Sequence, residues 1–147
     1  MAAKHPKRNE RPGVDRAGRT ALHYAAGNAD CKEVRRLLDL GMDVAAADDD
    51  GFTPLHFAAQ SNATDVALIL LDAGAPVDAP DAFGNTALSR AVFSCRGDGT
   101  LIQLLRARGS DPTIKNKRGV SPVKLAQTIA NFNVRQFFSD IADMNGE

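Results

Sequence analysis

Apolar residues recur along this chain in short groups at helical spacing. Leu22, Ala25 and Ala26 form one group and Leu55, Ala58 and Ala59 another, each at i, i+3, i+4, which puts all three on one face of a helix. A second kind of group follows each first: Val34, Leu37 and Leu38, then Ala67, Leu70 and Leu71, then Leu101, Leu104 and Leu105. Alanine dominates the first kind and leucine the second. The pattern therefore predicts helix pairs, the first member short and closely approached by its neighbours, the second burying one stripe. Segments rich in Asp, Ala and Pro separate the pairs, for example Ala75-Pro76-Val77-Asp78-Ala79-Pro80-Asp81.

The pairs keep a period. Gly18, Gly51 and Gly84 are spaced by 33, and a threonine follows each two residues later. The blocks read Thr20-Ala21-Leu22-His23, Thr53-Pro54-Leu55-His56, Thr86-Ala87-Leu88-Ser89 and, after Gly119, Ser121-Pro122-Val123-Lys124. Each Thr or Ser can accept an orphan N–H of the helix it starts, and proline at the next position already has a helical φ. A second series, Gly41, Gly74 and Gly109, lies 23, 23 and 25 residues after the first and suits the C′ position that closes a helix. Repeat three is thus two residues long, and the extra length falls within Ser94 to Thr100. The repeats run 15–47, 48–80, 81–115 and 116–147, within one domain at 14–147 after a short mobile tail at 1–13. The stripe Val134, Phe137, Phe138 and Ile141, with Arg135, Gln136, Ser139, Asp140 and Asp143 opposite, reads as a C-terminal cap. Lys32, Arg35 and Arg36 let the first repeat face water as the N-terminal cap.

Composition narrows the function classes. Eighteen basic residues balance eighteen acidic ones, which removes the overall cationic field that most nucleic-acid binders use. No stretch approaches the ~20 apolar residues of a membrane span, and the N-terminus has no apolar leader, so nothing directs export. Cys31 and Cys95 match no CxxC spacing and predict reduced thiols in a cytoplasmic protein. Lys4, Lys7, Arg8 and Arg11 make the tail basic, and two prolines mark it as a solvated leader.

The glycine, the Thr-Pro-Leu-His block, the paired alanines and the leucine-rich second helix resemble the ankyrin repeat, over roughly Asp15 to Met144. The resemblance implies an all-α solenoid of about four helix-turn-helix repeats with protruding β-turn fingers. It also implies a module that binds another protein, with no catalysis of its own. His23 and His56 hold the fourth position of the block, where the family uses histidine to hydrogen-bond between repeats.

Chemistry finds no foothold. Stacked helices lie ~8–10 Å apart, too far for those two imidazoles to share a zinc at ~2 Å. Asp48-Asp49-Asp50-Gly51 lacks the alternating ligands and distal glutamate of a calcium loop and reads as an acidic finger tip. Ser94 and Cys95 have no histidine in their repeat or beyond it, and Gly97-Asp98-Gly99 contains no phosphate-cradling motif. The reading is therefore no enzyme, no metal and no cofactor.

In ankyrin proteins binding resides on finger tips and on the exposed side of the first helices. Assigned by repeat position, this predicts Arg16 and Arg19 from finger one, Asp49, Asp50 and Phe52 from finger two, and Phe83 and Asn85 from finger three. Finger four adds Lys117 and Arg118, the helix edges add Gln60 and Phe93, and the insertion adds Arg96 and Asp98. Phe52 and Phe83 are expected to lead, as aromatics outside the stack. The aspartates of finger two suit a partner with a basic surface. The four-repeat length, the Arg96-Gly97-Asp98-Gly99 insertion and the run from Ser121 to Phe132 resemble small bacterial ankyrin proteins. Some of those are immunity proteins for secreted toxins, so the resemblance implies a monomer, or a heterodimer with a neutralised toxin or enzyme. The alternative is a scaffold or regulatory subunit that positions an enzyme in a complex.

Overall fold

The computed structural model describes residues 13–129 and 133–141. Those residues form seven α-helices: α1 (Ala21–Gly27), α2 (Cys31–Asp39), α3 (Pro54–Gln60), α4 (Thr64–Asp72), α5 (Ala87–Ser94), α6 (Thr100–Ala107) and α7 (Pro122–Thr128). A 3₁₀ helix at Val134–Phe138 follows, and no strand occurs among the described residues. Helices α1, α3, α5 and α7 stack on one another in sequence, and α2, α4 and α6 form a second layer behind them. The result is an all-helical solenoid built from pairs, as the periodicity predicts. No helix among the described residues is long and apolar enough to cross a membrane.

The core is the seam between the two layers. Leu22, Ala25, Ala26, Leu55, Ala58, Ala59, Leu88, Ala91 and Ala126 are buried on the first-helix side, where alanine lets backbones approach closely. From the second layer come Val34, Leu37, Val66, Ala67, Leu70, Leu101, Ile102 and Leu105. Each fully buried leucine or isoleucine contributes ~1.5–3 kcal/mol. Leu38, Leu71 and Leu104, read from the sequence as core, are only half-buried, while Val66 and Ile102 take fully buried places. In α4 and α6 the buried stripe is thus rotated by one position.

The segments between pairs make four alike turns. Asp15, Asp48, Asp81 and Asn116 each open one, accepting with a single side-chain oxygen the N–H groups two and four residues on. Such a turn is held by its own side chain. Neighbouring turns are joined by main-chain bonds, from Asp49 N–H to Ala17 O, Ala82 N–H to Asp50 O and Lys117 N–H to Phe83 O. Asp48, assigned from the sequence to an exposed acidic tip, is therefore a buried structural residue at 6% exposure. Gly51 has φ +80°, and a Cβ there would lie 2.8 Å from Ala82 N, so the close approach of the next turn requires glycine.

The insertion in repeat three is the loop Cys95–Gly99, where the other pairs connect through three residues. The short connections each hold a non-glycine residue at positive φ, Ala29 at 56° and Asn62 at 54°. Alanine lacks the local hydrogen bonding that lets asparagine tolerate that region. Replacing Ala29 with asparagine, as the next repeat already does, is expected to raise stability by about 0.5–1 kcal/mol. Urea denaturation of the two proteins checks this, and an unchanged or lower midpoint refutes it.

The chain's end departs from a helix pair. Val134 and Phe138 are buried and Phe137 and Ile141 half-buried, but they lie on and just after a 3₁₀ turn that packs on α7. Arg106 of α6 clamps it, donating to Phe137 O at 2.8 Å and to both carboxylate oxygens of Asp140. That bidentate pair holds the Asp140 carboxyl at about 2, below its usual range. The Phe137 ring fits against Gly99, so the insertion loop and the terminal turn are packed together. Residues 1–12 and Asp143 lie outside the described residues, and with them the predicted basic tail.

Candidate functional site

The turns and the first-helix layer share one face, and the side chains along it fall into three kinds. The first kind is built into the stack. His23 and His56 are buried, and in each case the preceding threonine donates its backbone N–H to the ring Nδ1, at 2.9 Å from Thr20 and 3.1 Å from Thr53. That assignment leaves the proton on Nε2, which donates across the repeat to Phe52 O at 2.8 Å and to Asn85 O at 2.9 Å. Burial pushes both imidazoles below their ordinary pKa. A ring fixed neutral at both nitrogens is a joint between repeats. No group of His, Cys, Asp or Glu among the described residues is placed to hold a metal ion.

The second kind is a stack of cations and rings. Arg19 lies over Phe57 at 5.2 Å, Phe57 meets Phe52 edge to face at 6.1 Å, and Arg90 lies over Phe52 at 4.8 Å. Each arginine is also held by the aspartate of a turn, Arg19 by Asp48 at 3.4 Å and Arg90 by Asp81 at 2.9 Å. Such ion–ring contacts contribute ~0.5–1 kcal/mol each where partly exposed. Phe52, expected from the sequence as a leading free aromatic, is therefore half-buried between Phe57, His56 and Arg90. The partner that packs it, Arg90, lies one repeat further on, out of reach of any local pattern. Arg19 is likewise half-buried and engaged.

The third kind is open. Phe83 is 57% exposed at the tip of the third turn and Phe93 is 72% exposed at the end of α5. The insertion packs on the terminal turn, where the Phe137 ring meets Gly99. Arg16, Asp49, Asp50, Gln60, Arg96, Asp98, Lys117 and Arg118 are all exposed. Asp98 spends one oxygen on the N–H and hydroxyl of Thr100, which holds its carboxyl below the usual range. Asn85 is half-buried and accepts from Asn116 Nδ2 at 3.0 Å. Ser61, on the same helix edges, donates to Gly27 O at 2.6 Å and is committed to the fold. Tyr24, 44% exposed and bonded through its hydroxyl to Asp15, belongs to this face and was not singled out in the sequence.

Charge is sorted along the chain, although it sums to zero. Between Arg36 and Arg90 the chain has nine aspartates and no lysine or arginine. From Arg90 to Lys124 it has eight basic residues and two aspartates. Neither exposed phenylalanine has a packing role, and each lies at the basic end or where the two zones meet.

The third repeat differs in one further respect. Thr86 is 1% exposed, yet its hydroxyl makes no hydrogen bond and caps no helix N–H, against expectation. The histidine that Thr20 and Thr53 engage is replaced there by Ser89, whose side chain is too short to reach back.

A family model described as ankyrin repeats (3 copies) matches residues 3–82. No curated protein matches the chain. The helix pair α5 and α6 and helix α7 lie beyond the matched span and continue its architecture.

Proposed function

Because the chain belongs to the ankyrin-repeat family, whose repeats are in general protein-interaction modules, we propose that it binds one partner protein across the turn tips and first helices and occludes the surface it covers. The observation that carries this reading is the exposure of Phe83 and Phe93 on that face, without any role in the stack. Exposed aromatics become anchors when a partner desolvates them. The sorted charges add orientation: a partner would be basic opposite Asp49 and Asp50 and acidic opposite Lys117 and Arg118.

The finer reading is that the occluded partner is a secreted toxin or enzyme and the chain its immunity protein. Its support is the resemblance of the insertion and of the segment after Ser121 to small bacterial proteins of that kind. Under it, co-expression with an adjacent toxin restores growth.

The test is capture of a partner by the immobilised chain, followed by affinity measurement. Phe83→Ala with Phe93→Ala is expected to weaken binding about a hundredfold, since two anchor truncations of ~1–2 kcal/mol each add when the sites are separate. Thermal stability should not change, because both rings are exposed. Undiminished affinity in a folded double variant refutes the assignment of the face.

A further inference from the structure

Replacement of histidine by serine in the third repeat leaves a space as well as a missing bond. A cleft of about 300 Å³ opens between α5 and α7, lined by Ser89, Arg90, Phe93, Asn116, Val120 and Leu125. Ser89 is only 6% exposed and its hydroxyl makes no hydrogen bond among the described residues. The Nε–H of Arg90 is also buried and without an acceptor, although Asp81 holds the other end of that guanidinium. In the two preceding repeats a histidine stands at the position of Ser89 and bonds the carbonyl of the residue that corresponds to Val120. The cleft thus combines an apolar wall, from Phe93, Val120 and Leu125, with the unpartnered Ser89 hydroxyl on its floor.

The volume lies at the bottom of the range for small-molecule sites and suits a single side chain. An aliphatic side chain would leave the serine hydroxyl unsatisfied. A carboxylate would be brought beside Asp81, which already neutralises Arg90. A tyrosine meets both conditions, with a flat apolar body and a neutral hydroxyl that donates and accepts. Around the mouth the sequence neighbours of the lining residues are cationic: Lys117 and Arg118 follow Asn116, and Lys124 precedes Leu125, all three exposed.

We infer that this cleft is a recognition pocket for a tyrosine side chain carried on an acidic segment of the partner protein. The inference rests on the protein-binding reading and adds to it the residue that docks and the sign of the charge beside it.

The probe is a capped pentapeptide with a central tyrosine between acidic residues, titrated into the isotope-labelled full chain. Saturable amide shifts at Ser89, Phe93 and Leu125 are expected, with affinity lowered about tenfold or more when the tyrosine becomes alanine or the acidic flanks become lysine. Ser89→His fills the cleft with the ring that the other repeats carry, and offers it the Thr86 hydroxyl and Val120 O. It is expected to raise Tm and abolish the shifts, so that loss of binding is separated from loss of fold. Phe93→Ala, at an exposed position, provides a second folded variant that should weaken the peptide.

Absence of saturable shifts overturns the inference, as does undiminished peptide binding by a folded Ser89→His chain. Sedimentation showing that the chain dimerises through this cleft, and that Ser89→His dissociates it, also overturns it, in favour of a second copy. If Ser89→His still captures the partner protein as the parent does while the double phenylalanine variant fails, the pocket is wrong and the broader reading stands. A parent chain that captures no protein removes the broader reading itself.

Discussion

Replacing His56 with leucine is expected to destabilise the array by about 3 kcal/mol or more, although the two side chains are similar in size. His56 is 1% exposed and makes two bonds that leucine cannot, from Thr53 N–H to Nδ1 and from Nε2–H to Asn85 O. Leucine leaves a buried N–H without an acceptor, and the carbonyl of the next turn loses a donor, at ~1–3 kcal/mol for each unsatisfied group. Urea denaturation measures the loss, and a change below about 1 kcal/mol would show that the joint contributes little beyond its volume.

The same geometry dictates a pH response. Burial holds the folded pKa of His56 and His23 below the ordinary 6.5, and protonating Nδ1 would set a second donor against the threonine N–H. The unfolded chain therefore takes up protons first as pH falls through 6.5. Stability is full above that value and declines below it, until the folded rings protonate too. The decline expected between pH ~7.5 and ~5.5 is that of the histidines, whose ordinary pKa lies in the interval. Tm measured across that interval should fall for the parent chain and flatten in a His23→Gln, His56→Gln variant.

Gly51→Ala is the second large effect, and its magnitude can be separated into two parts by comparison with Gly74→Ala. Both glycines have positive φ, +80° and +93°, where alanine costs ~1–2 kcal/mol. At Gly74 the added methyl meets nothing within 4 Å, so that cost is the whole expectation. At Gly51 it would stand 2.8 Å from Ala82 N and about 3.0 Å from the Asp81 backbone, which cannot move without breaking the bond from Ala82 N–H to Asp50 O. Gly51→Ala should therefore lose at least about 2 kcal/mol more than Gly74→Ala, through clash and the broken turn-to-turn bond together. Equal losses would mean that only φ matters at both.

The two glycine series look alike in the sequence, and only their spacing relative to the helix-start block distinguishes them. That spacing, with the paired alanines, was enough to predict the helix pairs, their order and the position of the insertion, because each follows from contacts within one repeat or from its copy. What escaped were effects one repeat away. Phe52 reads as a free aromatic until Arg90 is placed against it, and Asp48 reads as an acidic tip until its carboxylate is seen holding its own turn and Arg19. The second could have been found: Asp15, Asp48, Asp81 and Asn116 each stand three residues before a glycine of the first series. The cleft at Ser89 was legible only as a lapse in the repeating block, since a missing side chain carries no pattern. The terminal segment buries the stripe read from the sequence as a cap, but on a 3₁₀ turn, a form that its i, i+3, i+4, i+7 spacing does not announce.

At the tips, the bonds that join one turn to the next, from Asp49 N–H to Ala17 O, Ala82 N–H to Asp50 O and Lys117 N–H to Phe83 O, run between main-chain atoms. The fold therefore asks for glycine and for Asp or Asn at fixed places in each turn, and makes no demand on the identity of the residues between them. Tips such as Asp50, Ala82 and Phe83, or Lys117 and Arg118 can be exchanged without retuning the scaffold that displays them. The molecule keeps its architecture and its vocabulary of contacts in separate positions, so a new partner can be met by rewriting a few tip residues while every joint beneath them stays as it is.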